Sequence, residues 1–368
     1  MRAAVLEAAG TPLVVVDDVE LAAPRVGEVK VRVHACGVCH SDLSIVDGSL
    51  PGLTPVVLGH EAAGVVEEVG PGVTGLVPGD QVVLTPSPPC GRCYWCVRGE
   101  WSVCVNSLGL MTSTLPDGST PLRRGDVPVF RGLGVAAFAE HVITPSSGAV
   151  KVPDDVDLEV ACVLGCAVQT GVGAVLNTAK VPEGSTVLVL GLGGVGLSVV
   201  QGASLAGASR IVVSDPVRER REAAAGFGAT DLVDPTESDV VAAAQDLTAG
   251  IGVDYAFDAV GRSSLVNAGI DATRMGGMVV MVGMPPLDDQ LTLSSATIFA
   301  ATEKKLVGCL LGSVNSLREI PRLVDLWRGG RLDLEALITA RRPLGEINEA
   351  FDDLRAARGI RTVLHVAA

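Results

Sequence analysis

Thr186-Val-Leu-Val-Leu190 runs directly into Gly191-Leu-Gly-Gly-Val-Gly196, then into an alanine- and valine-bearing stretch, 197–206, and a second apolar run, 211–214, ending at Asp215. The first five residues read as a strand buried on both faces, the glycines as a turn and the next stretch as a helix. A strand, a Gly-x-Gly-x-x-Gly turn and a helix inside 30 residues form the unit that cradles a dinucleotide. Gly191, Gly193 and Gly196 allow, in turn, a tight bend, close backbone approach to a pyrophosphate and close helix packing. Gly194 and Val195 lie between them at the helix N-terminus, whose free N–H groups face the phosphates. Asp215 follows Gly196 by 19 residues. At a strand end its carboxylate would accept hydrogen bonds from ribose hydroxyls and repel a 2′-phosphate, which predicts NAD over NADP. Arg218 and Arg220 nearby keep NADP open.

Working outward, apolar runs at 231–233, 254–258, 278–282 and 306–310 alternate with alanine-rich helical stretches. With the first two they predict six strands in a doubly wound parallel sheet, an α/β class domain. The preceding 150 or so residues differ. Short alternating runs such as Glu28-Val-Lys-Val-Arg-Val33 and His60-Glu-Ala-Ala-Gly-Val-Val-Glu67, separated by Pro51-Gly52, Pro71-Gly72 and Pro78-Gly79, predict an irregular, barrel-like β domain. Helices over 316–328 and 344–358 and a last strand over 362–366 are expected to pack back onto it. The expected division is 1–168 with 312–368 against 169–311. Residues 110–135 lack a clear period and read as a long surface excursion.

A net charge of −14 argues against nucleic acid and anionic membranes, which require basic patches. The uncharged runs 160–179 and 185–209 are long enough to span a bilayer, but their glycines and strand-turn-helix texture point to a buried core, so no membrane role is expected. Nine cysteines, an odd number, in a long chain whose start lacks a signal-peptide core predict a reducing, cytoplasmic setting rather than disulfides.

Four of those cysteines, Cys90, Cys93, Cys96 and Cys104, are spaced Cys-x2-Cys-x2-Cys-x7-Cys in a turn-rich stretch. One tetrahedral zinc can collect all four thiolates, leaving no position for substrate, so this zinc would fold a lobe at about 88–106. Other ligand types are scattered. Taken singly, Cys166 reads better as an ordinary buried thiol than as a ligand, His60 could be a satisfied core imidazole, and Cys36, Cys39 and His40 could form a local metal clip.

Cys36-Gly-Val-Cys39-His-Ser-Asp42, Gly59-His-Glu-Ala-Ala-Gly64, the four-cysteine lobe, Leu164-Gly-Cys-Ala-Val-Gln-Thr-Gly171 and Gly191 to Gly196, in that order, together resemble the zinc-dependent alcohol dehydrogenases of the medium-chain dehydrogenase/reductase superfamily. The resemblance extends to Gly359-Ile-Arg361-Thr-Val-Leu364 and implies a GroES-like β-rich catalytic domain joined to a Rossmann domain. It further implies that Cys39, His60 and Cys166 bind a second, catalytic zinc with one open position. Asp42 would orient His60, and Glu61 would lie behind the metal. Ser41 would hydrogen-bond the substrate oxygen, Thr170 and Val195 would meet the nicotinamide, and His40 and Arg361 the pyrophosphate. The expected reaction is NAD-dependent oxidation of a small-molecule alcohol to an aldehyde or ketone. A histidine that ends the proton relay in many relatives is Ser44 here. Pro86, at a pocket position often aromatic in relatives that take small alcohols, suggests bulkier aryl or allylic substrates. The competing readings are a thiol-dependent formaldehyde dehydrogenase and a non-catalytic NAD-binding sensor. Asn106-Ser-Leu-Gly109 lacks the arginine of the glutathione-using branch. The long insert suggests a homodimer.

Overall fold

The computed structural model describes residues 1–293 and 295–366, and the chain forms two compact units. One comprises 1–166 with the chain from Val314 onward, the other 167–313. Residues 367 and 368, assigned from sequence to the first domain, and Ser294, assigned to the second, lie outside the described residues.

The second unit is built on six strands in the spatial order Asp231–Val233, Arg210–Ser214, Thr186–Leu190, Val253–Asp258, Thr273–Met281 and Lys305–Gly308. Every neighbouring pair is parallel. In chain order this is 3-2-1-4-5-6, the doubly wound arrangement expected from the alternation of strands and helices. Leu188, Val212, Ala256, Val266 and Val279 have no exposed surface, and each buried aliphatic side chain of the size of Val or Leu stabilises the fold by about 1.5–3 kcal/mol. Register aligns Leu190 with Ser214 on one side and with Asp258 on the other. The glycine turn after Leu190 therefore leaves the sheet at its carboxyl edge where the strand order reverses, the usual place for a nucleotide.

The first unit holds a seven-stranded sheet. Its path runs Ala149–Lys151, Gln81–Leu84, Glu61–Val69, Glu28–Gly37, Arg361–His365 and Ile338–Pro343, with His141–Pro145 also pairing with Glu28–Gly37. A six-stranded sheet lies beside these in the same unit and includes Ala3–Leu6, Val56–Val57 and Val127–Arg131. The pairing of Gly37 with Glu61 positions the chemistry: Cys39, two residues past the strand end, arrives beside His60, one residue before its partner strand. The tail joins the same sheet, Val363 pairing with Gly37.

Two expectations change. The excursion 110–135 contains a hairpin, Leu122–Arg124 with Val127–Arg131, whose strands are too short to show a period. Leu115, Leu122, Val129 and Arg131 within it are buried, so it is not merely a surface loop. The helix expected at 344–358 is Ile347–Arg355, preceded by a tight turn at Leu344–Glu346 and ended before Ala357, which adopts a left-handed φ of 53°. Among the described residues no single helix is long and apolar enough to cross a membrane; the run 160–179 breaks at Cys166 (φ −138°, ψ −75°), and only a bent pair of helices there passes by length and composition.

Candidate functional site

Cys39, His60 and Cys166 come together: their ligand atoms lie within 4.8 Å of one another, and all three residues are buried. Their local backbones explain how. Cys39 caps the helix His40–Val46, His60 follows Gly59, whose φ of 89° turns the chain, and Cys166 sits at the helix break just described. Asp42, with no exposed surface, ties two of the three together. Its carboxylate lies 3.2 Å from His60 Nδ1 and accepts hydrogen bonds from the backbone N–H of Gly59 at 2.9 Å and of Cys39 at 3.4 Å. With Nδ1 engaged, Nε2 is the nitrogen left for a metal.

The donor set suits zinc on electrostatic grounds as well. The Cys39 thiol is held well below its usual range, chiefly by a hydrogen bond from Cys166 and, against the cost of burial, by His60; the proton goes to Cys166, whose thiol is pushed well up. Two sulfurs beside one imidazole are the donor types that zinc accepts. Behind them both carboxylate oxygens of Glu61 are buried without a hydrogen-bond partner among the described residues. Desolvation raises this carboxyl to about 8, against the pull of Arg361. Arg361 itself is buried; its Nη1 donates to Val38 O at 2.7 Å and stands 3.6 Å from Glu61. Gly37 makes the room, since a Cβ there would lie 2.9 Å from Glu61 Cδ.

Ser41 Oγ stands 3.9 Å from Cys39 Sγ. His40 is exposed at the helix start. Ser44 is half-buried, and its carbonyl accepts from Leu50 N–H and Ser49 Oγ.

Cys90, Cys93, Cys96 and Cys104 also converge within 4.8 Å. Cys93 Sγ lies 3.8 Å from Cys104 Sγ, and a tetrahedron with Zn–S bonds of about 2.3 Å has S···S edges of about 3.8 Å. Cys104 Sγ accepts the backbone N–H groups of Cys90 and Asn106. Backbone N–H groups of Cys96 and Val105 hold the Cys93 thiol down at about 6, while burial pushes Cys104 up to about 12.

In the second unit the glycine turn has the shape the sequence predicts. Gly191 takes a φ of 91°, and a Cβ on Gly196 would fall 1.8 Å from Gly191 O. Around Gly193 a Cβ would meet nothing within 4 Å, which leaves the open backbone a pyrophosphate needs. Gly194 begins the helix Gly194–Leu205, and Val195 is half-buried. Asp215 is more enclosed than expected: one carboxylate oxygen accepts Leu192 N–H at 2.7 Å and the other Val217 N–H at 2.8 Å. It thus shapes the glycine turn, with lone pairs left for ribose hydroxyls. Arg220 is buried, and the neighbouring Arg221 donates to Asp215 O and pairs with Asp234. Thr170 Oγ1 is buried without a hydrogen-bond partner among the described residues.

Sequence reasoning missed Gly37, Gly59 and Arg221. The first two carry a signal in hindsight, a glycine beside a ligand-type residue, whereas Arg221 is one of several arginines in a charged helix.

Comparison with known proteins agrees with this construction. Residues 25–154 match the family model for an alcohol dehydrogenase GroES-like domain, and 194–327 that for a zinc-binding dehydrogenase. An Escherichia coli S-(hydroxymethyl)glutathione dehydrogenase is 38% identical over 99% of both chains. An alcohol dehydrogenase zinc-binding domain protein from Burkholderia ambifaria superposes with a TM-score of 0.93 at 37% identity, over 100% of this chain and 99% of that one. Benzyl alcohol dehydrogenase from Acinetobacter calcoaceticus gives 0.93 at 33%, with the same coverage. A GroES-like unit carrying a three-donor site, a four-thiolate lobe and a parallel nucleotide-binding sheet, matched end to end by such relatives, places this chain in the zinc-dependent alcohol dehydrogenase family of the medium-chain dehydrogenase/reductase superfamily.

Proposed function

We propose that the protein oxidises an alcohol to an aldehyde or ketone, reversibly, using NAD and two zinc ions per subunit. The observation that carries this reading is the convergence of Cys39, His60 and Cys166, three donors that leave a tetrahedral ion one position free. When bound there, zinc supplies a Lewis acid that lowers the pKa of a substrate hydroxyl, and NAD supplies the hydride acceptor. The chain's residues do the rest. Asp42 fixes the His60 tautomer, and Glu61 with Arg361 stands behind the metal ligands. Ser41 relays the hydroxyl proton, Oγ accepting it while giving up its own hydrogen. Its onward path runs through water and ribose hydroxyls, or through His40, because Ser44 stands where many relatives have histidine. Gly191, Gly193, Gly194, Val195 and Gly196 hold the pyrophosphate with His40 and Arg361, Asp215 and Arg220 border the ribose, and Thr170 meets the nicotinamide. Cys90, Cys93, Cys96 and Cys104 hold the second zinc, which folds the lobe.

Pro86 in the pocket wall, together with similarity to a benzyl alcohol dehydrogenase, favours aryl or allylic alcohols. A second reading, thiol-dependent formaldehyde oxidation, is favoured by the Escherichia coli relative and opposed by Asn106-Ser-Leu-Gly109, which lacks an arginine. The test is a screen of aliphatic, aryl and terpenoid alcohols and formaldehyde, with and without glutathione and other small thiols, with NAD or NADP, followed by nicotinamide absorbance. Thiol-independent oxidation of aryl alcohols with NAD preferred is expected. Turnover of formaldehyde only with a thiol would establish the second reading instead. We also propose a homodimer. Light scattering should give the mass of two subunits, and a mass of four would contradict it.

A further inference from the structure

Arg131 ends the strand Val127–Arg131 and is 2% exposed. Its guanidinium donates to two backbone carbonyls, Nη1 to Thr114 O at 3.2 Å and Nη2 to Gly134 O at 2.7 Å. Its own N–H donates to Ser113 O at 2.7 Å, and Nε has no hydrogen-bond partner among the described residues. The carboxylate that acts on it, Glu28, is already paired with Arg25. Burial accordingly lowers the guanidinium pKa to about 10. A buried cation without a paired anion is destabilising, and an apolar side chain of equal volume would ordinarily serve stability better.

What this cation holds is unusual backbone. Ser113, Leu133, Gly134 and Ala136 all have left-handed φ, of 57°, 50°, 75° and 69°, three of them at non-glycine residues, and such outliers point towards function. The two segments meet closely. A Cβ on Gly109 would lie 3.0 Å from Thr114 O and 3.7 Å from Gly134 Cα, and one on Gly134 would lie 3.0 Å from Pro86 O. A few residues on, Ala137 N–H donates to Gly59 O and Phe138 N–H to Leu58 O, immediately before His60. The segment 132–138 thus runs from Pro86 to the turn at Leu58 and Gly59 that leads into His60.

We propose that Arg131 is a positioning residue that clamps segments 109–115 and 132–136 together and thereby sets the shape of the substrate-pocket wall at Pro86. The inference rests on the reading of Pro86 as a pocket residue. Arginine is suited to this because its rigid planar fork reaches two carbonyls from two separate nitrogens, whereas lysine offers a single nitrogen and an apolar side chain none.

The test compares wild type with R131K and R131M. Hydrogen exchange at residues 109–115 and 132–137 should quicken about tenfold or more in R131M, the size that accompanies loss of charge-assisted hydrogen bonds, and less in R131K. Exchange elsewhere, NAD affinity by fluorescence and zinc content should not change. The ratio of kcat/KM for the bulkiest to the smallest alcohol turned over should shift about tenfold in R131M, with R131K intermediate. Unaltered exchange in the two segments would overturn the clamp, and so would a uniform rise across the chain with an unchanged specificity ratio. Should R131M fail to fold, R131K is judged by the same criteria. If wild type oxidises no alcohol, the proposed function fails, while the exchange pattern alone supports or overturns the clamp.

Discussion

Asp42 illustrates how much one buried side chain does here. It orients His60, holds Gly59 in place and anchors the start of the helix that follows Cys39. Replacing it with asparagine keeps the volume but presents an amide to Nδ1, which favours the wrong tautomer. Asp42→Asn should therefore lower zinc affinity or kcat/KM by about 10–100-fold, measured by zinc retention against a chelator alongside turnover. Full retention of both would show that Asp42 does not position the ligand. At this scale the sequence was unevenly legible. The four lobe cysteines announce themselves because their spacing alone brings them together. Cys39, His60 and Cys166 do not, being 21 and 106 residues apart, and only resemblance linked them before the strand register of Gly37 with Glu61 supplied a physical reason. The enclosure of Asp215 and the pairing of Arg361 with Glu61 were not legible, since burial of a charged side chain depends on elements distant in the chain.

Among elements, the glycine turn makes the most exacting demand. A methyl group at Gly196 would overlap Gly191 O, so Gly196→Ala must open the turn. NAD affinity is expected to fall about tenfold or more with zinc content unchanged, as overpacking of a close helix contact implies; fluorescence titration reads this directly, and unaltered affinity would remove the turn from the cofactor site. The lobe makes a different prediction. Cys93→Ser should release the second zinc and expose residues 90–112 to proteolysis, with a fall in Tm of about 5–10 °C for a loss of a few kcal/mol. Loss of that zinc without any local loosening would argue against a folding role. Most of the parallel strands were readable to within two residues because their centres are apolar runs bounded by turn residues, but the one expected at 278–282 begins at Thr273, where Thr-Arg-Met-Gly-Gly carries no apolar run. The hairpin Leu122–Arg124 with Val127–Arg131 was not, because three- and five-residue strands are set by their pairing partner and by the buried Arg131, neither of which has a local signature.

At the level of the whole chain, the division of labour follows from composition and topology. The β-rich unit brings Cys39, His60 and Cys166 together at a helix cap, a turn and a helix break, and the parallel sheet carries the glycine turn at its carboxyl edge. In the proposed function Cys39, His60 and Cys166 hold a catalytic zinc separate from the lobe zinc. Elemental analysis of wild type and Cys166→Ser, each with NAD affinity and NAD-coupled alcohol oxidation measured in parallel, decides this. About two zinc ions per chain are expected in wild type and about one in the variant, with turnover abolished and NAD binding intact. A variant that keeps both ions and its activity, or a wild type with a single zinc, would contradict it.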